Sequence, residues 1–277
     1  MRLTQSLNGT WQFQLDPDGT TTVATMQPTH TIAVPLPWQA AYPDLQAYSG
    51  YAWYQREIDI APEVLTGEVL LTFGAVDYWC EVFINGVKAG EHEGGYTPFT
   101  LPIAAWLHAG SNTIAVRVFD TLQTGNGNQR HPAFPLEKST GAPPFGPLDI
   151  PHGKQEWYIN VGGIWQDVTL TAVPTTYLES AHVTGAMDGT ATVHITLSGA
   201  APAKFALEAA IVWEGQTISV AHETIKDARQ HITLTLRVRN PHLWSHNQPA
   251  LYTLVVKAGD DERTTRFGFR EISTRDA

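Results

Sequence analysis

Cys80-Glu81-Val82-Phe83-Ile84-Asn85-Gly86-Val87-Lys88-Ala89 reads as two β-strands and the turn that joins them. Apolar and polar residues alternate before the turn, which puts one face of the strand in a core and leaves the other outside. Asn-Gly between apolar segments is the strongest short hairpin signal, because both residues accept positive φ. The same alternation recurs at Trp11-Gln12-Phe13-Gln14-Leu15, Val69-Leu70-Leu71-Thr72-Phe73 and Thr113-Ile114-Ala115-Val116-Arg117-Val118, and Leu7-Asn8-Gly9-Thr10 supplies another turn of this kind. Sustained helical periodicity is absent. Many short strands with Gly, Pro and Asn between them predict an all-β chain that opens with an antiparallel jelly-roll β-sandwich.

One segment breaks the rhythm. From 121 to about 155 the chain is rich in Gly, Pro, Asn and His with almost no alternation. A stretch of that length without periodic structure is uncommon inside a compact domain and is usually functional or disordered. Alternation returns at Trp165-Gln166-Asp167-Val168-Thr169-Leu170-Thr171, and Pro174 marks a boundary. The expected domains are 1–174 and 175–277. In the second, strands are predicted near 178–183, 191–197, 205–213, 217–224, 231–238, 251–257 and 264–269. About seven short strands in about 100 residues fit an immunoglobulin-like β-sandwich. The Cys…Trp…Cys core of antibody domains is missing, which points to a fibronectin-like relative.

Composition narrows the function. Of 277 residues, 43% are hydrophobic and 16% charged, so a sizeable core can form. The net charge is −10 and Lys and Arg are nowhere clustered, which excludes the basic stripe of a nucleic-acid binder and argues against an anionic membrane surface. No stretch approaches the ~20 apolar residues that span a bilayer. Cys80 is the single cysteine, so no disulfide within the chain and no Cys-based metal site is expected. Met1-Arg2-Leu3-Thr4-Gln5 has no apolar run behind it, and a reduced cytoplasm is the expected compartment. Nine Trp and nine Tyr offer rings that stack on the apolar faces of sugars, although most such rings fill β-sandwich cores.

Direct signs of chemistry are few. Nucleophile elbows, phosphate loops and zinc signatures are missing. Cys80 lies in an apolar strand and reads as core. Glu91-His92-Glu93 reads as a solvated turn, and His131, Asp149 and His152 have no fixed mutual spacing. Neither a metal nor a cofactor is expected. Glycoside hydrolysis needs two carboxyl groups about 5–9 Å apart, and no such pair is identifiable. These residues by themselves describe a β-rich, aromatic-rich module that binds a neutral ligand or a protein partner.

Nine motifs in order resemble family 2 glycoside hydrolases, the group of β-galactosidases, β-glucuronidases and β-mannosidases. Leu7-Asn8-Gly9-Thr10-Trp11-Gln12-Phe13, Val34-Pro35-Leu36-Pro37-Trp38-Gln39 and Gly50-Tyr51-Ala52-Trp53-Tyr54-Gln55-Arg56 resemble the opening of the family's sugar-binding domain. Phe83-Ile84-Asn85-Gly86, Gly94-Gly95-Tyr96-Thr97-Pro98-Phe99, Gly110-Ser111-Asn112-Thr113 and Gly162-Gly163-Ile164-Trp165-Gln166-Asp167-Val168 continue it. Pro241-His242-Leu243-Trp244-Ser245 with Pro249-Ala250-Leu251-Tyr252, and then Phe267-Gly268-Phe269-Arg270-Glu271-Ile272, resemble the next domain and its exit.

The resemblance implies a galactose-binding-like jelly roll, then an immunoglobulin-like sandwich, then a catalytic (β/α)₈ barrel that needs ~250 further residues. It implies a retaining exo-β-glycosidase whose two catalytic glutamates lie on that barrel, so no catalytic residue is assigned here and this chain alone is expected to be inactive. Partners implied are a β-glycoside carbohydrate and the barrel of the same protein; a homo-oligomer is compatible with it. Galactosidase- and glucuronidase-type members carry an aspartate six residues before the glycine of Gly-Ile, and here that position is Trp157. The departure fits a subgroup with a stacking ring at the substrate rim, and Trp157, Gln155 and Asn160 are the expected substrate-binding residues. Packing against the barrel is the competing role for Trp157. Trp244 is expected in the sandwich core and Arg270 at a domain seam. The alternative to an enzyme fragment is a stand-alone carbohydrate-binding or adhesion module.

Overall fold

The computed structural model describes residues 2–45, 48, 50–120, 161–199, 204–225 and 230–273. They form two compact units, one of Thr4–Ala172 and one of Met1–Leu3 with Val173–Ala277.

The first unit is built from β1 (Leu3–Ser6), β2 (Gly9–Asp16), β3 (His30–Val34), the single-turn helix α1 (Trp38–Ala41), β4 (Gly50–Ile60), β5 (Glu68–Phe73), β6 (Val76–Asp77), β7 (Trp79–Ile84), β8 (Val87–Glu93), β9 (Phe99–Pro102), β10 (Gly110–Asp120), β11 (Gly163–Ile164) and β12 (Val168–Val173). A six-stranded sheet, β3-β2-β4-β10-β7-β8, faces a four-stranded one, β1-β12-β5-β9. Alternation fills the space between them. Ala52, Tyr54 and Ile58 of β4, Val116 and Val118 of β10 and Cys80 and Val82 of β7 all point inward, and the register sets Val116 between Tyr54 and Val82. Cys80 is fully buried and burial raises its thiol pKa, so it is a core residue.

The outer face of the large sheet is also covered at one end. Tyr51, Tyr78, Trp79 and Phe119 cluster there, and the Arg117 guanidinium sits 4.0 Å from the centre of the Tyr51 ring. Arg117 lies between Asp16 (3.8 Å) and Glu81 (3.6 Å), whose charges offset the cost of holding it half-buried.

The hairpin read first from sequence is β7–β8. Asn85 and Gly86 have φ of 50° and 82°, as a primed turn requires. Glu91-His92-Glu93 is not the expected turn. It continues β8, and His92 stacks on Phe99 with ring centres 4.1 Å apart, so the turn starts only at Gly94. The expectation failed because charged residues alternate with a half-buried ring, a pattern that reads as solvated loop.

The second unit holds β13 (Thr176–Gly185), β14 (Thr190–Gly199), β15 (Phe205–Trp213), β16 (Gln216–Ile225), β17 (His231–Arg237), β18 (Tyr252–Ala258) and β19 (Asp261–Phe267). They form the sheets β13-β14-β17 and β16-β15-β18-β19 around a core of Leu, Ile, Val and Ala side chains with Tyr252, Phe267 and Phe269. Tyr252 takes the centre that a disulfide and tryptophan hold in antibody domains: its ring lies 5.0 Å from Phe269 and 4.4 Å from Trp213, and its hydroxyl accepts the His242 N–H at 2.8 Å. Trp244 is not in this core. It is half-buried on a groove wall under Arg270, because Gly268 leaves room for it there.

Candidate functional site: the anchored rim of the first unit

Trp157, Gln155 and Asn160 lie outside the described residues. What is described is the ground on either side of the segment that carries them, from Asp120 at the end of β10 to Val161 and the Gly162-Gly163-Ile164-Trp165 run.

That run is fixed by residues far away in sequence. Gly162 accepts a backbone hydrogen bond from Trp38 (3.1 Å), and its own N–H donates to the Gln39 side-chain oxygen (2.9 Å). A side chain at Gly162 would begin 2.1 Å from the Trp38 ring. Gly163 has φ of 103°, and the Tyr54 hydroxyl stands 2.2 Å from where its Cβ would be. The two glycines therefore let the backbone lie flat against Trp38 and Tyr54. Leu36 N–H then bonds Ile164 O (3.1 Å), and β11 pairs with β6, setting Gly163 opposite Asp77.

The next residue turns outward. Trp165 donates its indole N–H to Gly95 O at 2.7 Å and forms a T-shaped pair with the Tyr96 ring, centres 5.6 Å apart. Tyr96 is 58% exposed, so it offers a large ring to solvent that is held from behind. Burial, then the Asp77 and Asp120 carboxylates, raise the pKa of its phenol.

Asp77 closes the floor of this site. It is 2% exposed, its Oδ1 has no hydrogen-bond partner among the described residues, and its carboxyl fills the space beside Gly95, where a Cβ would meet it at 2.4 Å. Burial pushes the carboxyl up to about 7. Asp120 is fully buried as well. The sequence reading missed Asp77, although a signal existed: a single carboxylate inside the apolar run Leu70-Leu71-Thr72-Phe73-Gly74-Ala75-Val76-Asp77-Tyr78-Trp79.

Neither buried carboxyl at this rim is placed to act on a glycosidic bond. A glycosidase carboxyl has to touch the scissile bond, and Asp77 and Asp120 are sealed beneath Gly95 and Tyr96 or inside the fold. Among the described residues no three His, Cys, Asp or Glu side chains gather as a metal site.

The comparisons with known proteins accord with this geometry. The β-galactosidase of Thermoanaerobacter pseudethanolicus is 27% identical over 83% of the chain, and the β-glucuronidase of Canis lupus familiaris is 29% identical over 91%. The chain covers only 29% and 41% of their lengths. Among solved structures, a β-glucuronidase from Ruminococcus gnavus in complex with D-glucuronic acid superposes with a TM-score of 0.73 at 22% identity, over 98% of this chain and 46% of that one. A glycosyl hydrolase family 2 member from Bacteroides cellulosilyticus does so with the same score, and these likenesses establish the fold. The family model "Glycosyl hydrolases family 2, sugar binding domain" matches residues 4–174, and "Glycosyl hydrolases family 2" matches 175–270. With both units accounted for, the chain belongs to glycoside hydrolase family 2.

Proposed function

We propose that this chain is the non-catalytic front portion of a retaining exo-β-glycosidase, and that it supplies rim residues and packing to a catalytic barrel elsewhere in the same protein. The observation that carries the reading is the anchoring of Gly162 by Trp38 and Gln39. It fixes the backbone at residue 162, two positions after Asn160 in sequence, which supports a defined role for the segment that holds Gln155, Trp157 and Asn160. A ring at 157 would stack on the sugar, and the flanking amides would hydrogen-bond its hydroxyls. The two catalytic carboxyl groups, about 5–5.5 Å apart in a retaining enzyme, belong to the barrel.

The relatives support the reading by name and by length, since the curated relatives named above run well beyond the part this chain covers. The test uses 4-nitrophenyl β-glycosides with the full-length gene product and with the 277-residue chain. The full-length protein is expected to hydrolyse one of them with retention of configuration, and the short chain none. Trp157→Ala in the full-length protein is expected to raise KM about 10-fold with a smaller change in kcat. Hydrolysis by the short chain, or none by the full-length protein, would overturn the reading.

A further inference from the structure

Among the described residues, Tyr96 is the one Phe, Tyr or Trp ring that stands exposed; the other large apolar side chains that reach solvent are aliphatic. An exposed ring ordinarily rotates freely, but this one is held. Gly94 N–H donates to Tyr78 O (2.9 Å), and its φ of 120° suits glycine. Gly95 O accepts the Trp165 indole N–H (2.7 Å), and the Asp77 carboxyl fills the volume where a Gly95 Cβ would stand. The Trp165 and Tyr96 rings meet at 67°. Backbone and ring are therefore ordered before any ligand arrives, and a sugar laid on the exposed part of the ring immobilises little that was free.

The ring also has a defined place. Asp120 ends β10, where the chain leaves for the 121–160 segment, and Trp165 follows directly on the anchored run 162–164 after it. Both reach Tyr96. Trp165 touches its ring, and the Asp120 carboxylate, after burial and Asp77, raises the pKa of its phenol, which stays a hydrogen-bond donor. Tyr96 thus stands within reach of both stems of the segment that holds Gln155, Trp157 and Asn160, inside the stretch matched by the sugar binding domain model. A flat ring with a hydroxyl at its tip suits a pyranose, whose apolar C–H face stacks while its hydroxyls meet the phenol.

We infer that Tyr96 is a second stacking ring of the substrate rim, taking the apolar face of the terminal pyranose, and that Trp165 is the residue that positions it. This rests on the function proposed above. Packing within the unit does not account for the ring, since more than half of its surface meets no other part of the unit.

Steady-state kinetics of the full-length protein on the 4-nitrophenyl β-glycoside it cleaves, with the matching free monosaccharide as inhibitor, test it. Tyr96→Ala should raise KM and the inhibition constant of the monosaccharide about 10-fold each, with kcat within about 3-fold and the unfolding midpoint unchanged. Tyr96→Phe keeps the ring and should stay within about 3-fold of the parent in both constants. Trp165→Phe removes the indole bond to Gly95 and should raise the same two constants by a smaller factor than Tyr96→Ala. Loss of kcat and a lower unfolding midpoint in Tyr96→Ala, with KM unchanged, would mark a packing role and overturn the inference. A Tyr96→Phe variant as impaired as Tyr96→Ala would assign the effect to the hydroxyl and overturn the stacking. A full-length protein that cleaves a glycoside equally well with Tyr96→Ala refutes the second ring alone. One that cleaves none refutes the proposed function.

Discussion

Asp77 and Gly95 are complementary: the carboxyl occupies the volume any other side chain at 95 would need. Gly95→Ala must displace either the buried carboxyl or the backbone under Tyr96, and is expected to cost roughly 2 kcal/mol in urea unfolding. The carboxyl also makes stability depend on pH. Its folded pKa, about 7, lies above the ordinary value of 3.8. The stabilisation is therefore fully present below about pH 4 and is lost as pH rises through about 7, with an amplitude of roughly 2–4 kcal/mol. Asp77→Asn should flatten that slope and leave the variant more stable than the parent at pH 8. An unchanged slope in unfolding curves between pH 4 and 8 would show that the carboxyl ionises freely in the fold.

Glycines in two turns separate backbone freedom from close approach. Gly86 has φ of 82° and open space around it, so Gly86→Ala meets only the left-handed penalty of about 1 kcal/mol. Gly162→Ala drives a methyl into the Trp38 ring and should cost at least about 3 kcal/mol, while loosening the stem of the 121–160 segment. Thermal unfolding of the two variants should differ in that order. Alternation and turn chemistry made the strands legible in sequence: the seven expected in the second unit all form, and Asn85-Gly86 turns as read. The Trp38–Gly162 and Asp77–Gly95 contacts were not legible, because periodicity describes a residue's own element and says nothing of a partner in another element, whether 18 positions away or over a hundred. Trp244 failed for a related reason. Its spacing fits a core position, and only the hydrogen bond from His242 to Tyr252 and the gap at Gly268 turn it to the surface. The residues expected to touch sugar lie outside the described ones, so the structure speaks to their stem alone.

At the scale of the molecule, the first residues of the chain complete the second unit. Arg2 binds Asp261 through two nitrogens, at 2.8 and 2.9 Å, and Asp261, 1% exposed, also accepts the Leu178 N–H at 2.7 Å. Arg2→Ala would strand a buried carboxylate and should cost the second unit about 3 kcal/mol, visible as an earlier unfolding transition of that unit in calorimetry. The same scale holds the central claim, that these two sandwiches are the front of a longer enzyme. Intact mass of the natural gene product, taken from source-cell extract, tests it most directly. The account predicts a chain longer than these 277 residues by at least ~250, enough for a (β/α)₈ barrel. A mass near 30.4 kDa would contradict it and leave a carbohydrate-binding module without an enzyme.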